Sequence, residues 1–438
     1  MGSDYSNLLS KYQYAELRIH HGSESAIRIT NDEIKSSSGT FYGISARVLE
    51  SNSWGFASSN NINCDVAVLL ERATKLARLE KGNIKLKETK SEIKTIKNKT
   101  KETPIEEKLN SLLDAKKEIS GKHVISTIIS CSSFNLNKEF HNPTGSEIVQ
   151  EQDYTYLSYT AITKSGELVQ RGYENAASIK GFDKIDLYKI AKIADEKAER
   201  LLYAVAPPKG RFTVVLDPEM TGVFSHEALG HATEADSIID RESILAGKLN
   251  KKIGNELVNI IDDPTAEDFG NYTYDDEGVK AEKTELVRNG ILKGYLNSRE
   301  TSERLNIMPN GHARADSFDA VPIVRMSNTY FMQGKASRED VFDIKHGIYL
   351  KGMKGGSVDI FSGGFMFKAE EAYEIKNGEL GKLLRDVTLS GNILETLNHV
   401  ELVGKDFDTS PGICGKFNQE APVSDGGPHI RVSNMMVG

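Results

Sequence analysis

The chain is poor in three things, and each shortage excludes a class of protein. Cysteine occurs only at positions 64, 131 and 414. An odd, scattered set cannot close as a disulfide framework and points to a reducing compartment. Long apolar runs are missing: no stretch approaches the ~18 residues of a membrane span, and the polar opening Met1-Gly2-Ser3-Asp4 lacks the apolar core of a secretory signal. Positive charge is in deficit as well. Fifty-five Lys and Arg against 63 Asp and Glu leave −8, a field that repels phosphate backbones and anionic lipid. The expectation is a cytoplasmic protein that binds neither nucleic acid nor membrane. Met1-Gly2-Ser3-Asp4-Tyr5-Ser6 fits the loose myristoylation pattern, but so short a pattern recurs by chance.

What is present is a chain of 438 residues, long enough for two or three cores, with 38% hydrophobic residues, too many for a disordered polymer. From Tyr14 to Asn60 short apolar stretches alternate with turn residues, the pattern of strands and hairpins. Val66, Leu69, Leu70, Ala73, Leu76 and Ala77 recur with a helical period and predict an amphipathic helix ending near Gly82. Cys64, just before it, reads as a buried and inert thiol. Nine lysines and five glutamates then crowd Lys81 to Lys108 with little apolar content, which reads as a solvated linker near residues 81–103 or an exposed strand pair. Thr103-Pro104-Ile105-Glu106 predicts a helix start with a hydroxyl cap and proline in the first turn.

Strands are expected at Val124 to Ser130 and Tyr154 to Thr163, and a helix between Asp183 and Val205. Pro207-Pro208-Lys209-Gly210 interrupts regular structure and sets the expected boundary. The predicted fold is therefore α+β. Residues 1–206 form an N-terminal α/β-type domain of strands and amphipathic helices, and residues 207–438 a β-rich C-terminal domain.

The chemistry concentrates after the predicted strand Phe212 to Leu216. Asp217-Pro218-Glu219 supplies a capping carboxylate and a proline at the first helical position, so a helix should begin there. It runs into Ser225-His226-Glu227-Ala228-Leu229-Gly230-His231, two potential metal ligands around a group that can move a proton. Their spacing is five, which on an ideal α-helix sets the imidazoles roughly 140° apart. Sharing one ion requires a widened π-type turn or an early helix end, and Gly230 is expected to make that departure cheap by accepting unusual backbone angles. Taken alone, the two histidines are as readily unrelated polar residues. Far away, Ser410-Pro411-Gly412-Ile413-Cys414-Gly415-Lys416 places a cysteine in a glycine-flanked turn beside a lysine, where a thiolate forms more easily.

The stretches from Phe224 to Asp236 and from Pro411 to Lys416 resemble the zinc-motif-bearing, TldD-like branch of the TldD/PmbA metalloprotease family. The similarity continues through Asp275-Asp276-Glu277-Gly278, Asn289 to Tyr295, Val321 to Thr329, and Gly43 to Ala57. The resemblance implies that His226, His231 and Cys414 bind Zn2+ and that Glu227 is the catalytic base serving a zinc-bound water. Two neutral nitrogens and one thiolate leave the fourth tetrahedral position that a catalytic zinc needs. The implied activity is a zinc-dependent peptidase acting on unfolded polypeptide or oligopeptide, as a homodimer or a heterodimer with a TldD/PmbA-family relative. Two alternatives stand beside it: a non-catalytic zinc-binding scaffold or regulatory subunit of a protease complex, and a metal-dependent hydrolase of modified peptide amides.

Other residues carry weaker signals. Glu234 and Asp236 are placed to orient a metal-bound imidazole, although acids beyond a helix end are more often solvated. Asp275 to Gly278 lacks the ligand pattern of a calcium loop and reads as a polar turn. His312 and Arg314 are candidates for holding substrate carbonyls, against the plainer reading of an exposed loop. Lys351 to Gly356 has no phosphate-loop spacing, and no Gly-x-Ser-x-Gly elbow occurs.

Overall fold

The computed structural model describes residues 5–98 and 100–438, so the opening tetrapeptide and Lys99 lie outside it. The fold is α+β. Three long hairpin strands, Tyr14–Thr30, Glu33–Glu50 and Ser53–Ser59, follow one another in antiparallel register. The first also pairs with Val124–His141, which continues through Glu147–Ser165 to Leu168–Ser178, giving a seven-stranded sheet.

Strand alternation sorts the side chains of this sheet. Leu17, Ile19, Ile27 and Ile29 pack beneath the helices Val66–Ala77, Ile105–Lys116 and Leu187–Leu201. Gly55 is required on that face, because a Cβ there would meet the Ala73 carbonyl at 1.8 Å. The opposite face turns Glu16, Arg18 and His20 toward the C-terminal half, and all three are buried.

Three details differ from expectation. The helix Ile105–Lys116 starts after Pro104, which is itself the cap and offers no side-chain bond, so Thr103 does not cap it. Among the described residues of the lysine-rich stretch only Ile93–Ile96 forms a strand, parallel to Glu147–Ser165, and Lys108 is buried with its Nζ donating to Ser25 Oγ at 3.1 Å. Cys64 is half-buried and precedes the true cap, Asp65, whose side chain accepts from Ala67 N.

Beyond residue 209 the chain builds a second seven-stranded sheet around Gly210–Leu216, His346–Asp359 and Gly364–Lys376, and a six-stranded sheet. The latter runs from Ile291–Leu292 through Asn328–Phe331 to Gln419–Gly427 and ends on Asp408–Lys416. A helical segment that begins at Pro218 lies against both sheets. Phe224, Leu229, Met326, Phe331 and Phe367 lie in the shared core.

The turn Asp275-Asp276-Glu277-Gly278 is no exposed polar turn. Asp275, Asp276 and Glu277 are all buried: Asp276 and Glu277 receive cations projecting from the N-terminal sheet, while Asp275 accepts from the backbone N–H groups of Glu277, Val279 and Ala313. Arg47 bridges Glu16 at 2.7 Å and Glu277 at 2.6 Å, and Lys138 reaches Asp276 at 3.1 Å. Glu277 also accepts from the Arg299 backbone N–H at 2.7 Å. A buried charge persists only when partnered in this way.

Candidate metal centre

Asp217 caps the helix Pro218–Val223 by accepting from Met220 N at 2.9 Å, with Pro218 in its first turn, as the sequence dictates. The helix then widens. Phe224–Gly230 is a π-helix, and the His231 N–H donates to the His226 carbonyl, a five-residue step. A single 3-10 turn, His231–Thr233, follows. Widening by one residue per turn brings side chains five apart onto one face, which is what a five-residue histidine spacing needs.

The glycine has a different task from the one expected. Gly230 holds ordinary helical angles, φ −52° and ψ −58°, so it supplies no unusual backbone. Its missing Cβ makes room for Met326, whose Sδ would lie 2.0 Å from an added methyl. Packing, rather than conformation, demands glycine here.

The third residue arrives on the strand Asp408–Lys416. A tight hairpin through Phe417 and Asn418, both at positive φ, pairs Cys414 with Ala421 and fixes the register. Arg325, almost wholly buried, donates one guanidinium nitrogen to the Cys414 carbonyl and another to the Gln419 carbonyl at 3.0 Å, holding both arms. Cys414 Sγ then lies 3.2 Å from His226 Nε2 and 3.4 Å from His231 Nε2. One ligand atom from each of the three residues lies within 4.8 Å of the others.

Both imidazoles are steadied from behind. His231 Nδ1 is 3.1 Å from Glu234 Oε2, and His226 Nδ1 is 2.7 Å from Asp425 Oδ1. Each Nδ1 thus faces a carboxylate while each Nε2 faces the sulfur. Lys416 pairs with Glu234 at 3.0 Å and with Asp236 at 2.6 Å, pinning the strand to the end of the helical segment. Asp236 touches neither histidine ring. Asp425 escaped the sequence reading, since nothing in its local spacing marks it.

The electrostatics of the trio call for positive charge. Burial opposes ionisation of His226, yet Asp425 and Cys414 carry its pKa well above the ordinary value. For His231, burial is again overcome, by Glu234 and Cys414, and the pKa rises to about 10. Burial alone would raise the Cys414 thiol, but the two imidazoles bring it down to about 5. A thiolate and two inward nitrogens backed by carboxylates form a borderline-soft donor set suited to a divalent cation, which would take the place of the two imidazole protons.

Glu227 projects into a cavity of about 290 Å³ lined also by His226, Met353, Gly356, Ile413 and Cys414. It is half-buried, and its carboxylate makes no hydrogen bond or ion pair among the described residues. His312 and Arg314 do not line this cavity. His312 is fully buried with Nδ1 3.1 Å from the Arg325 carbonyl, and Arg314 donates to the Met326 carbonyl at 2.7 Å while covering the Tyr272 ring.

Comparison with known proteins gives the family. The family model described as the PmbA/TldA metallopeptidase C-terminal domain matches residues 209–438, with domain 1 of the same family at 15–77 and its central domain at 98–202. The chain belongs to the PmbA/TldD metallopeptidase family. A metalloprotease of Methanothermobacter thermautotrophicus is 40% identical over 100% of this chain and 98% of the relative. A zinc metalloprotease TldD homolog of Saccharolobus solfataricus is 32% identical over 97% and 96%. Among solved structures, TldE from Thermococcus kodakarensis shares the fold with a TM-score of 0.76 at 21% identity, covering 100% of both chains. A protein from Thermotoga maritima does so at 0.83, with 21% identity and 99% of each chain covered. Among the described residues no helix is long and apolar enough to cross a membrane.

Proposed function

We propose that this chain is a zinc-dependent peptidase that hydrolyses extended, unfolded polypeptide, with His226, His231 and Cys414 as the zinc ligands and Glu227 as general base. The observation that carries the reading is the convergence of three donor atoms within 4.8 Å, from helix and distant tail, beside a cavity that two of them, on His226 and Cys414, line together with the unengaged carboxylate of Glu227. A zinc ion in such an open three-ligand site supplies a water of pKa near ~7 and a Lewis acid for a peptide carbonyl.

The chain's own residues do the rest. Asp425 and Glu234 hold each imidazole in the tautomer that presents Nε2 to the cation. Glu227, adjacent in sequence to a ligand and without another partner, takes a proton from the attacking water and returns it to the departing amine. The strand Asp408–Lys416 ends its sheet, so its outer edge offers backbone donors and acceptors to which an extended peptide adds as a further strand. Such binding reads backbone and favours unfolded substrates. We propose further that residues 207–438 form the catalytic domain and residues 1–206 a second domain, and that the assembly is a dimer with itself or with a TldE-like relative.

The test pairs metal content with peptide turnover. His226→Ala, His231→Ala and Cys414→Ser are expected to lower metal affinity by at least tenfold, on the order of or beyond what losing an outer partner costs. Glu227→Gln is expected to keep the metal and lose roughly 100-fold or more in kcat. Equal turnover by wild type and Glu227→Gln would remove the general base from the account.

A further inference from the structure

A second, larger cavity of about 580 Å³ adjoins the metal cavity, and Ile413 lines both. One wall is the charged face of the N-terminal sheet, and the other is the outer face of the hairpin that carries Cys414. Six aromatic rings line it: Phe41, Phe134, Tyr154, Tyr156, Phe269 and Phe318. Its volume lies in the ~300–1,000 Å³ range of small-ligand sites.

Strand alternation connects the two cavities. On Asp408–Lys416 the buried Cys414 faces the imidazoles, so its neighbour Ile413, 44% exposed, faces the other way. Ile413 pairs with Pro422 and Gly415 with Glu420, and Ile413, Pro422 and Glu420 all line the aromatic cavity. A peptide added along this strand alternates in the same manner, with every second side chain leaving the metal side for the aromatic side.

We propose that this cavity is a specificity pocket for one large aromatic side chain, Phe or Tyr, of the extended peptide lying on the strand Asp408–Lys416. The inference rests on the peptidase reading above for its substrate class. Two polar atoms in the lining residues are buried without a hydrogen-bond partner, His20 Nε2, which stands 3.8 Å from Asp276, and Arg325 Nε. Neither atom is exposed to the cavity, whose lining is predominantly apolar, as an aromatic side chain requires. Specificity would come from this pocket, while the strand edge reads only backbone.

The experiment uses the full-length zinc-loaded protein and a set of unfolded decapeptides of one sequence, in which Phe replaces Ala at each position in turn. One position is expected to raise kcat/KM by roughly 10- to 100-fold, the effect of burying one large apolar side chain. Ser132→Trp, on the sheet wall, and Ser317→Trp, on the facing segment, fill the cavity from opposite sides. Each is expected to bring the Phe-to-Ala ratio to about unity, within roughly twofold, by excluding that side chain. Using both guards against one failing to fold.

Binding is read separately, whether or not cleavage occurs, by the fluorine resonances of the same decapeptides with 4-fluorophenylalanine in place of Phe, one of which is expected to shift or broaden with wild type and not with either filled variant. Absence of all cleavage together with a fluorine response would sink the peptidase reading and retain the pocket. Cleavage with no positional preference, or a fluorine signal unmoved by wild type, would overturn the pocket alone.

Discussion

At the scale of single residues, the arrangement gives Asp425 and Glu234 parallel tasks, each backing one imidazole through Nδ1. Asp425→Asn and Glu234→Gln are each expected to weaken zinc binding by about 10- to 100-fold, measured by competition with a chelating dye, while the backbone at Cys414 stays in place. The sequence shows Glu234 because it follows His231 by three residues. Asp425 is hidden for a different reason. Residues 421, 423 and 425 share one face of a strand, and only the pairing of Cys414 with Ala421 brings that face to the two histidines. Recognising a hairpin turn at Phe417-Asn418 would have exposed it, but a Phe-Asn pair is a weak turn signal beside Asn-Gly.

At the scale of the element, the π-helix Phe224–Gly230 is the feature on which the histidines depend. The five-residue spacing already called for a widened turn or an early helix end, so a departure from the α-helix was legible, and the structure takes the widened turn. The role of Gly230 was not, because the demand comes from Met326, nearly a hundred residues away in the chain. Gly230→Ala overpacks that contact and is expected to cost about 1–3 kcal/mol in denaturant unfolding. In a Met326→Ala background the same substitution should cost less, since the clash it creates has been removed. Equal penalties in both backgrounds would mean that glycine serves some other need. Helix starts elsewhere were legible from caps, as at Asp217, whereas Asp65 was not singled out and Pro104 displaced Thr103 because it takes the cap position itself.

At the scale of the whole molecule, the N-terminal sheet and the C-terminal half are joined by buried charge. Arg47→Met leaves Glu16 and Glu277 buried without their cation and is expected to cost about 3–5 kcal/mol. Trp54 is the single tryptophan, lies 4.2 Å beneath the Arg47 guanidinium and donates to Glu300, so its emission reports on this joint during unfolding. The sequence concealed the joint because Asp275-Asp276-Glu277-Gly278 has the composition of a solvated turn, and only tertiary pairing reveals otherwise.

The same joint sets a pH dependence. Burial holds the His20 pKa down at about 4 against the pull of Asp276, with Lys138 and Arg18 also lowering it. Between pH 6.5 and 4 the unfolded chain therefore binds this proton first, and stability falls as pH falls. Burial would raise Asp276, but Lys138, His20 and Arg18 hold it far below the usual carboxylate range, and its contribution, complete above the ordinary aspartate pKa, is lost at still lower pH. Tm is expected to decline through both windows, and His20→Asn to flatten the upper one only.

The central claim is that helix and tail meet on one cation. X-ray absorption at the zinc edge of the loaded protein tests it directly. The account predicts one sulfur at ~2.3 Å, two imidazole nitrogens at ~2.0–2.1 Å and one light oxygen scatterer, with the sulfur shell gone in Cys414→Ser. A first shell without sulfur in the wild type, or one unchanged by that substitution, would contradict it.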